Sequence, residues 1–227
     1  MFVASGNALI FNCNFQNVVW TRVGLQYTCT ASIEGFPSPV VTNVTGNHQN
    51  ARTNADVNAV SISNHNLEYG IPRNIEDFFP NLTVLSFSNV GIYRISSLDI
   101  SPFPGLKVLI LYRNQLDSLD AETFSANSEI EHISLSSNQL RNFGPNLFSS
   151  LPNLKNIRLQ NNICIDESGD DSVDNMFEFT WRVSVNCPPS FEQFEREILN
   201  GRNFQESLNP LSERIDDLEA RLAALEV

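Results

Sequence analysis

The sequence predicts an α/β solenoid in which five repeats stack their short strands into a parallel β-sheet, with a disulfide cap at each end and a helix at the C-terminus. Three observations in the 227 residues support this fold class. An apolar pattern recurs five times at nearly constant spacing, four cysteines lie in two pairs at the ends of the repeated segment, and the last residues carry a heptad pattern.

The repeated unit has the form L-x-x-L-x-L-x-x-N-x-L in its most complete copies. The copies begin at Val57, Leu82, Leu106, Ile130 and Leu154, so they are 24 or 25 residues apart. Apolar residues at every second position predict a short strand with one buried face. Because one unit cannot bury both of its faces alone, the units are expected to stack on one another.

Asparagine follows the strand in the last three units, at Asn114, Asn138 and Asn162. We expect these side chains to bond the backbone of the turns from inside the solenoid. His65 and Val90 hold that position in the first two units, so looser or water-satisfied turns are expected there. Apolar residues in the second half of the units are expected to stack as a second core layer, namely Phe78, Ile100, Phe103, Phe124, Phe148 and Leu151.

The four cysteines, Cys13, Cys29, Cys164 and Cys187, lack the C-x-x-C spacing of zinc or redox sites. An even number at the two ends favours two disulfides and an oxidising compartment, and four reduced core cysteines are the alternative. Five strands about 4.8 Å apart separate the ends by about 20 Å. A disulfide needs Cα atoms within about 7 Å, so Cys13–Cys29 and Cys164–Cys187 are the expected pairs.

Several features favour a secreted chain. The N-x-S/T sequons at Asn43 and Asn81 predict glycosylation. The first residues lack the basic and apolar regions of a complete signal peptide, so we interpret the sequence as a mature chain or as one that has lost its leader. The longest apolar run, 108–111, is far shorter than the roughly 20 residues that span a bilayer. A receptor ectodomain with an anchor beyond residue 227 is an alternative.

The formal net charge of −12 disfavours general binding to nucleic acid or to anionic membranes. The sequence has no catalytic signature and no two histidines at metal-ligand spacing, so we predict no enzyme activity, no cofactor and no metal site. The acidic stretch 166–174 is interpreted as a solvated loop before a helix that runs to about Trp181, with a calcium site as the alternative.

The repeats, with CNFQNVVWTRVGLQYTC and GNHQNARTNADVNAVSISNHNLEYGIPRNIEDFFPNL before and within the first of them, resemble the secreted leucine-rich-repeat proteins of flies and mosquitoes. This resemblance implies a curved right-handed solenoid with its parallel sheet on the concave face, and binding of proteins or glycoconjugates without catalysis. It divides the chain into an N-terminal cap (1–56), five leucine-rich repeats (57–163), a C-terminal cap (164–190) and a helical tail (191–227).

A helix is expected in the tail because Asn209 and Pro210 are typical of a helix start. Its apolar residues follow heptad spacing, at Leu211, Ile215, Leu218, Leu222 and Leu225. The flanking charges favour a parallel dimer, and a helix packed back on the repeats is the alternative. Repeats with a coiled coil are similar to the mosquito leucine-rich-repeat immune proteins, which bind complement-like thioester proteins. This chain lacks their adjacent cysteine pair and longer coil.

Residues between the core positions of each strand are expected on the concave face. Ile110, Tyr112 and Arg113 lie at its centre against a background of serines, and tyrosine and arginine are typical of binding hot spots. The ligand-binding prediction also includes four flanking residues, His132, Lys107, Lys155 and Arg158.

The basic residues outnumber Glu131 on this face, which predicts a protein partner with an acidic or sulfated surface, in immunity or adhesion. A matrix glycoprotein that assembles through residues 209–227 is the alternative function.

Overall fold

The computed structural model of the chain describes residues 8–35, 38–67, 70–172 and 175–199. The predicted heptad seam, Leu211 to Leu225, lies outside the described residues. The strands are β1 Leu9–Trp20, β2 Gly24–Gly35, β3 Val41–Thr45, β4 Ala59–Ser63, β5 Val84–Ser88, β6 Val108–Ile110, β7 Ser118–Leu119, β8 His132–Ser134, β9 Asn142–Phe143, β10 Asn156–Arg158 and β11 Ser168–Asp170. The helices are α1 Ile75–Phe78, α2 Ser97–Ile100, α3 Met176–Asn186 and α4 Phe191–Leu199, with a 3-10 turn at Asn54–Asp56.

The repeat strands are parallel, as predicted. β4, β5, β6, β8 and β10 pair in sequence order, and the same repeat position aligns along the whole stack, from Val60 in β4 to Ile157 in β10. In the described part of the chain they form the centre of a nine-stranded sheet with the order β11-β10-β8-β6-β5-β4-β2-β1-β3. The inward residues of these strands are fully buried, so their apolar side chains form one continuous core.

The N-terminal cap is a long antiparallel hairpin of β1 and β2. Its register runs from Leu9 opposite Gly35 to Trp20 opposite Gly24. β2 pairs in parallel with β4 and so joins the hairpin to the first repeat, while β3 adds a parallel strand on the outer edge. Alternate residues of β1 are buried and close the open end of the core, namely Leu9, Phe11, Cys13 and Phe15.

Both predicted disulfides are present. Cys13 and Cys29 join the two strands of the hairpin, with their Cα atoms 5.0 Å apart. Cys164 and Cys187 join the last repeat to the end of α3, with a Cα separation of 5.2 Å. The first bond therefore closes the N-terminal cap on itself, and the second holds the C-terminal helix to the last repeat. Such loop closures typically stabilise a fold by about 2–4 kcal/mol.

The C-terminal cap differs from the expectation of a solvated acidic loop. Residues 168–170 form β11, which pairs antiparallel with β10 and satisfies the otherwise open edge of the last repeat strand. The helix that follows ends at Asn186 rather than near Trp181. Phe179 of this helix packs against Gly169, where any Cβ would meet the phenyl ring.

The asparagine ladder is confirmed and has a consistent geometry. Asn138 accepts a hydrogen bond from the Leu116 amide at 3.1 Å and donates to the Leu111 and Leu135 carbonyls at 2.9 Å each. The carboxamide thus links the turn of its own unit to the turn of the preceding unit. Asn162 makes equivalent bonds. Asn114 accepts from the Val90 and Ile92 amides and donates to the Phe87 carbonyl, while its contact within its own unit is to the Tyr112 carbonyl at 3.5 Å.

The first turn is closed by a backbone hydrogen bond in place of an asparagine side chain. The Leu67 amide, which is equivalent to the Leu116 amide, donates directly to the backbone carbonyl of Val90 at 2.8 Å. Val90 itself is completely buried, so an apolar side chain fills the space that the carboxamide occupies in later units. The expectation of a looser first turn is therefore not met at this position.

The second core layer is also present, with one shift. Ile100, Phe103, Phe124 and Leu151 are buried, and Phe148 is partly buried against Phe124 with the ring centroids 6.3 Å apart. In the first unit, however, Phe79 is fully buried and the predicted Phe78 is only partly buried. This unit is one residue longer than the others, which moves the inward position by one residue.

Helix α4 packs beside β7. Gln193 donates to the Leu119 carbonyl at 3.0 Å, and Arg196 forms two hydrogen bonds with Asp120 at 2.9 and 3.0 Å. Among the described helices, none is long and apolar enough to cross a membrane.

Candidate functional site

The candidate site is the concave face, which we define as the face of the parallel sheet turned away from the leucine core. Its middle column consists of Ser61, Ser86, Ile110, Ser134 and Arg158, and the next column of Ser63, Ser88, Tyr112, Ser136 and Gln160. Because residues at one repeat position align across the sheet, each column is a row of side chains about 4.8 Å apart. Small serines on both sides leave Tyr112 and Ile110 as the largest groups at the centre.

Tyr112 and Arg113 form one unit at that centre. The guanidinium carbon of Arg113 lies 5.2 Å from the centroid of the Tyr112 ring, within cation–π distance. Tyr112 is partly buried and Arg113 is exposed. The pair therefore places an aromatic ring and a positive charge together at the centre of the concave face, and the hot spot there stays a prediction.

The backbone at the end of each strand explains an asparagine pattern that sequence reasoning left uninterpreted. The last concave column, Asn64, Asn89, Arg113, Ser137 and Asn161, has φ between 55° and 59° throughout. Asparagine tolerates this left-handed conformation, whereas a long side chain such as arginine is disfavoured there by about 1 kcal/mol or more. Because this backbone conformation does not favour arginine, we attribute the presence of arginine at position 113 to a role of its side chain.

The amines of Lys107 and Lys155 are paired with a carboxylate, whereas the sequence suggested that both were available to a partner. Each lies one residue before its strand, and Glu131 lies between them with its carboxylate 3.5 Å from the Lys107 amine and 2.8 Å from the Lys155 amine. The hydrogen bond from Lys155, assisted by the charges of both lysines, lowers the pKa of Glu131 below its usual range. By contrast, neither Arg113 nor Arg158 has an acidic partner within 4 Å among the described residues.

His132 does not lie at the surface beside Tyr112, contrary to expectation. It is only 2% exposed, and its burial, together with the positive charge of Arg158, lowers its pKa to about 4. The imidazole is therefore neutral at pH 7. Asn156, which is also buried, hydrogen-bonds the imidazole and partly opposes this lowering.

The cause of this burial is an arm, residues 18–26, which is the far end of the β1–β2 hairpin. Trp20 and Val23 of the arm pack on a strip of apolar concave residues, namely Ala59, Val84 and Val108. Arg22 at its tip reaches the other end of the sheet, 2.8 Å from Asp170 and 2.9 Å from Asp171. The arm thus crosses the repeats on the concave side and covers the column nearest the strand starts.

Asp170, on the edge strand β11, accepts the hydrogen bond from Arg22 at the tip of the arm. It takes hydrogen bonds from the Ser172 hydroxyl and amide, from Arg22 and from Asn156, whose amide lies 2.6 Å away. These donors, Ser172 first, hold the pKa of Asp170 well below its usual range. Sequence reasoning missed this contact, although apolar residues at 59, 84 and 108 on a polar face were a signal that something covers them.

A shallow polar depression extends the concave face into the N-terminal cap. It has a volume of about 570 Å³, and the polar groups that line it are neutral, mainly Asn12, Asn14, Thr30, Ser32, Asn47 and Gln49. Thr30 pairs with Ser61 of the first repeat, so the serine columns continue into the hairpin. The concave face is therefore charged at its centre and C-terminal end and neutral at its N-terminal end.

The glycosylation sequons lie on the surface. Asn43 is exposed on the edge strand β3, and Asn81 is exposed before β5, with its amide donating to the Ala55 carbonyl at 2.9 Å. Within the described residues, no cluster of three or more histidine, cysteine, aspartate or glutamate side chains is arranged to hold a metal ion.

Comparison with known proteins places the repeats among leucine-rich repeats. Residues 104–163 match the family model described as leucine rich repeat. The chain is 32% identical over 91 residues to Toll-like receptor 2 type-1 of Gallus gallus, which covers 38% of this chain and 12% of that protein. It is 31% identical over 90 residues to the NT-3 growth factor receptor of Sus scrofa, covering 39% of this chain and 11% of that protein. The chain thus spans about an eighth of these relatives.

Two solved structures show more distant likeness. The Toll–Spatzle complex of Drosophila matches with a TM-score of 0.45 and 18% identity over 53% of this chain and 16% of that chain. The leucine-rich-repeat ectodomain of the receptor kinase SOBIR1 from Arabidopsis thaliana matches with a TM-score of 0.40 and 19% identity over 66% of this chain and 79% of that chain. With a parallel strand in every unit and the asparagine ladder behind it, the chain has the fold of a leucine-rich-repeat solenoid with a disulfide at each end.

Proposed function

We propose that this chain is a secreted, non-enzymatic binding protein that recognises an acidic partner, a protein surface or a sulfated glycoconjugate, through the concave face around Tyr112 and Arg113. The observation that carries the proposal is the conformation of Arg113. Its φ of 56° suits asparagine better than arginine, and its guanidinium lies over the Tyr112 ring with no acidic partner within 4 Å in the described part of the chain. The repeat turn takes asparagine at this position in three of the five units, so the arginine of the central unit supplies a charge that the turn does not require.

Charge supports an acidic partner. Arg113 and Arg158 carry free positive charge on the concave face, and the row of Lys107, Glu131 and Lys155 adds one net positive charge beside them. The whole chain is strongly acidic, with a net charge of −12, whereas these residues give the centre of the concave face a positive charge. Such an arrangement orients an acidic partner toward the site and makes association sensitive to salt.

The relatives support an extracellular binding role. The proteins matched at about 31–32% identity are named as receptors, and one of them is a Toll-like receptor. Two disulfides fit an oxidising compartment, and the exposed sequons at Asn43 and Asn81 fit glycosylation. We therefore include secretion and a role in innate immunity or adhesion in the proposal, as for the similar secreted proteins of mosquitoes.

Within this proposal the chain divides by role. Residues 57–163 form the binding solenoid, 1–56 and 164–190 cap it, and 191–227 form a helical tail.

The test uses two defined acidic probes, heparin for sulfated glycans and poly-glutamate for acidic proteins. Arg113→Asn removes the charge and suits the left-handed turn, so the fold is retained. We expect binding to the probe to weaken by about 2 kcal/mol, about thirtyfold. Arg141→Asn is the matched control, because Arg141 is an exposed arginine on another surface and should bind as the wild type does. Equal binding by all three proteins would refute the proposed site.

The alternative function, a matrix glycoprotein that assembles through its tail, is favoured by the heptad spacing at 211–225. Light scattering on the full chain separates the two. Leu218→Glu with Leu222→Glu should abolish concentration-dependent dimers if the tail forms a parallel coiled coil. If the chain is a monomer with or without these changes, the assembly function is excluded.

A further inference from the structure

The arm, residues 18–26, partly closes the surface that the proposed function uses. Trp20 and Val23 cover the strip Ala59, Val84 and Val108, and partly buried Ile110 of the hot spot packs against the same cluster. The side chain of Arg22 is about a quarter exposed, and its two acidic partners are more than a third exposed on average. Besides the packing of Trp20 and Val23, the tip of the arm is thus held by an ion pair that water and salt can reach.

Polar groups lie buried beneath the arm. His132 and Asn156 are 2% and 6% exposed, and a hydrogen bond with Asn156 is outweighed by burial and by the charge of Arg158, so the imidazole is held in its neutral form. Uptake of a proton by His132 would therefore favour the open state.

The arm tip is itself strained. Arg22 has a φ of 72°, in the left-handed region that favours glycine or asparagine. As with Arg113, the backbone does not favour arginine, and here the side chain is used for the contact with Asp170 and Asp171.

We propose that the arm is a displaceable gate over the concave face, closed by the Arg22–Asp170/Asp171 ion pair and opened by the acidic partner, which competes for Arg22. Opening uncovers the apolar strip and His132 and enlarges the surface around Ile110 and Tyr112. The gate deepens the proposed function and rests on it, because it regulates access to the same site. An acidic ligand that reaches Arg22 therefore both releases the arm and gains a further basic contact.

Acid favours the open state as well. The groups facing His132 are Arg158 on β10, Arg22 on the arm and Asp170 on β11. With the arm closed, burial holds the imidazole pKa at about 4, below its ordinary value of about 6.5. Between these two values the open state binds a proton that the closed state excludes, so lowering the pH through this range shifts the equilibrium toward opening. Asp170 keeps its charge in this range because its own pKa is lowered.

The gate is tested without any partner by the accessibility of His132 to diethyl pyrocarbonate, read by mass spectrometry of its peptide. Arg22→Asn suits the strained turn but removes the ion pair, and Asp171→Asn removes one of its two acidic partners. Each should raise His132 modification several-fold, as should high salt in the wild type. Arg182→Asn is the matched control, because the Arg182 contacts that the structure describes are with Glu167, Glu178 and the Phe179 ring, and the change should leave His132 unreactive.

Two other histidines make the experiment interpretable. Both ring nitrogens of His48 are hydrogen-bonded, to Tyr27 and Asn54, so its modification reports unfolding of the cap. Partly exposed His65 reports the activity of the reagent. The gate is refuted if Arg22→Asn leaves His132 unreactive, or if His132 and His48 become reactive together. A reactive His132 in a chain that binds neither heparin nor poly-glutamate would keep the gate and refute the proposed function instead.

Discussion

The guanidinium of Arg22 lies 2.8 Å from the carboxylate of Asp170, although 148 residues separate them in the sequence. In a simple solenoid each repeat contacts only its neighbours, so stability is close to a sum of local terms. Here the N-terminal hairpin also contacts the last strand, and the two ends of the stack are linked directly. The same contact partly covers the concave face.

This link should make unfolding more cooperative at low salt. Arg22→Asn is expected to lower the urea midpoint at low ionic strength and to broaden the transition, because the caps no longer contact each other. The difference from the wild type should vanish at high salt, which screens the ion pair. Arg182→Asn should show neither effect. A difference that is unchanged by salt would mean that Arg22 acts through packing instead.

Exchanging arginine and asparagine in the column with positive φ should change stability in opposite directions at Arg113 and at Asn89. Arg113→Asn should be neutral or stabilising by up to about 1 kcal/mol in urea unfolding, because asparagine suits a φ of 56°. Asn89→Arg, at the same position of the preceding unit, should cost a similar amount and also break the hydrogen bond from Asn89 to Asn64 at 2.8 Å. Destabilisation by Arg113→Asn would show that Arg113 has a structural role.

Asn138→Ala should be among the most damaging single changes in the repeats. The buried carboxamide makes three backbone hydrogen bonds, to Leu116, Leu111 and Leu135. Removing it leaves these groups unpaired in the core, at a cost of about 3 kcal/mol or more. Asn153→Ala, which removes an exposed asparagine with one bond to Ser128, is the control and should cost far less. Similar losses of stability in the two variants would contradict the ladder.

His132 predicts a pH dependence of stability. Its pKa is about 4 in the folded chain and about 6.5 when unfolded, so the unfolded state binds the extra proton between these values. The contribution of neutral His132 to the free energy of unfolding is complete above pH 6.5. It is lost as the pH falls toward 4, by about 3 kcal/mol at most. His132→Asn should lose less stability than the wild type from pH 7 to pH 4.5. Parallel pH profiles for the two proteins would show that His132 is not buried as described.

The sequence predicted the repeats because their signals are local and periodic. Each leucine position, each ladder asparagine and the cysteine pairs follow from residues within one or two units. Even the shift from Phe78 to Phe79 has a local cause, the single extra residue of the first unit. Such features need no knowledge of distant contacts, and they fix the direction of the strands and the residues of the concave face.

The arm and β11 could not be predicted in the same way. The contact of Arg22 with Asp170 joins residues at opposite ends of the chain, and no local pattern indicates it. The prediction of the candidate site was therefore wrong at His132, which was expected at the surface and is buried beneath the arm. The acidic stretch was interpreted as solvated because the free edge of β10, which it covers, is visible only in three dimensions.

The location of the binding surface is tested most directly by hydrogen–deuterium exchange of the full chain with and without heparin. The account predicts slower exchange in peptides that contain Tyr112–Arg113 and Arg158, and faster exchange in the arm as it is displaced. Protection confined to the flanks or caps, with the central strands unchanged, would contradict the concave face as the site of recognition.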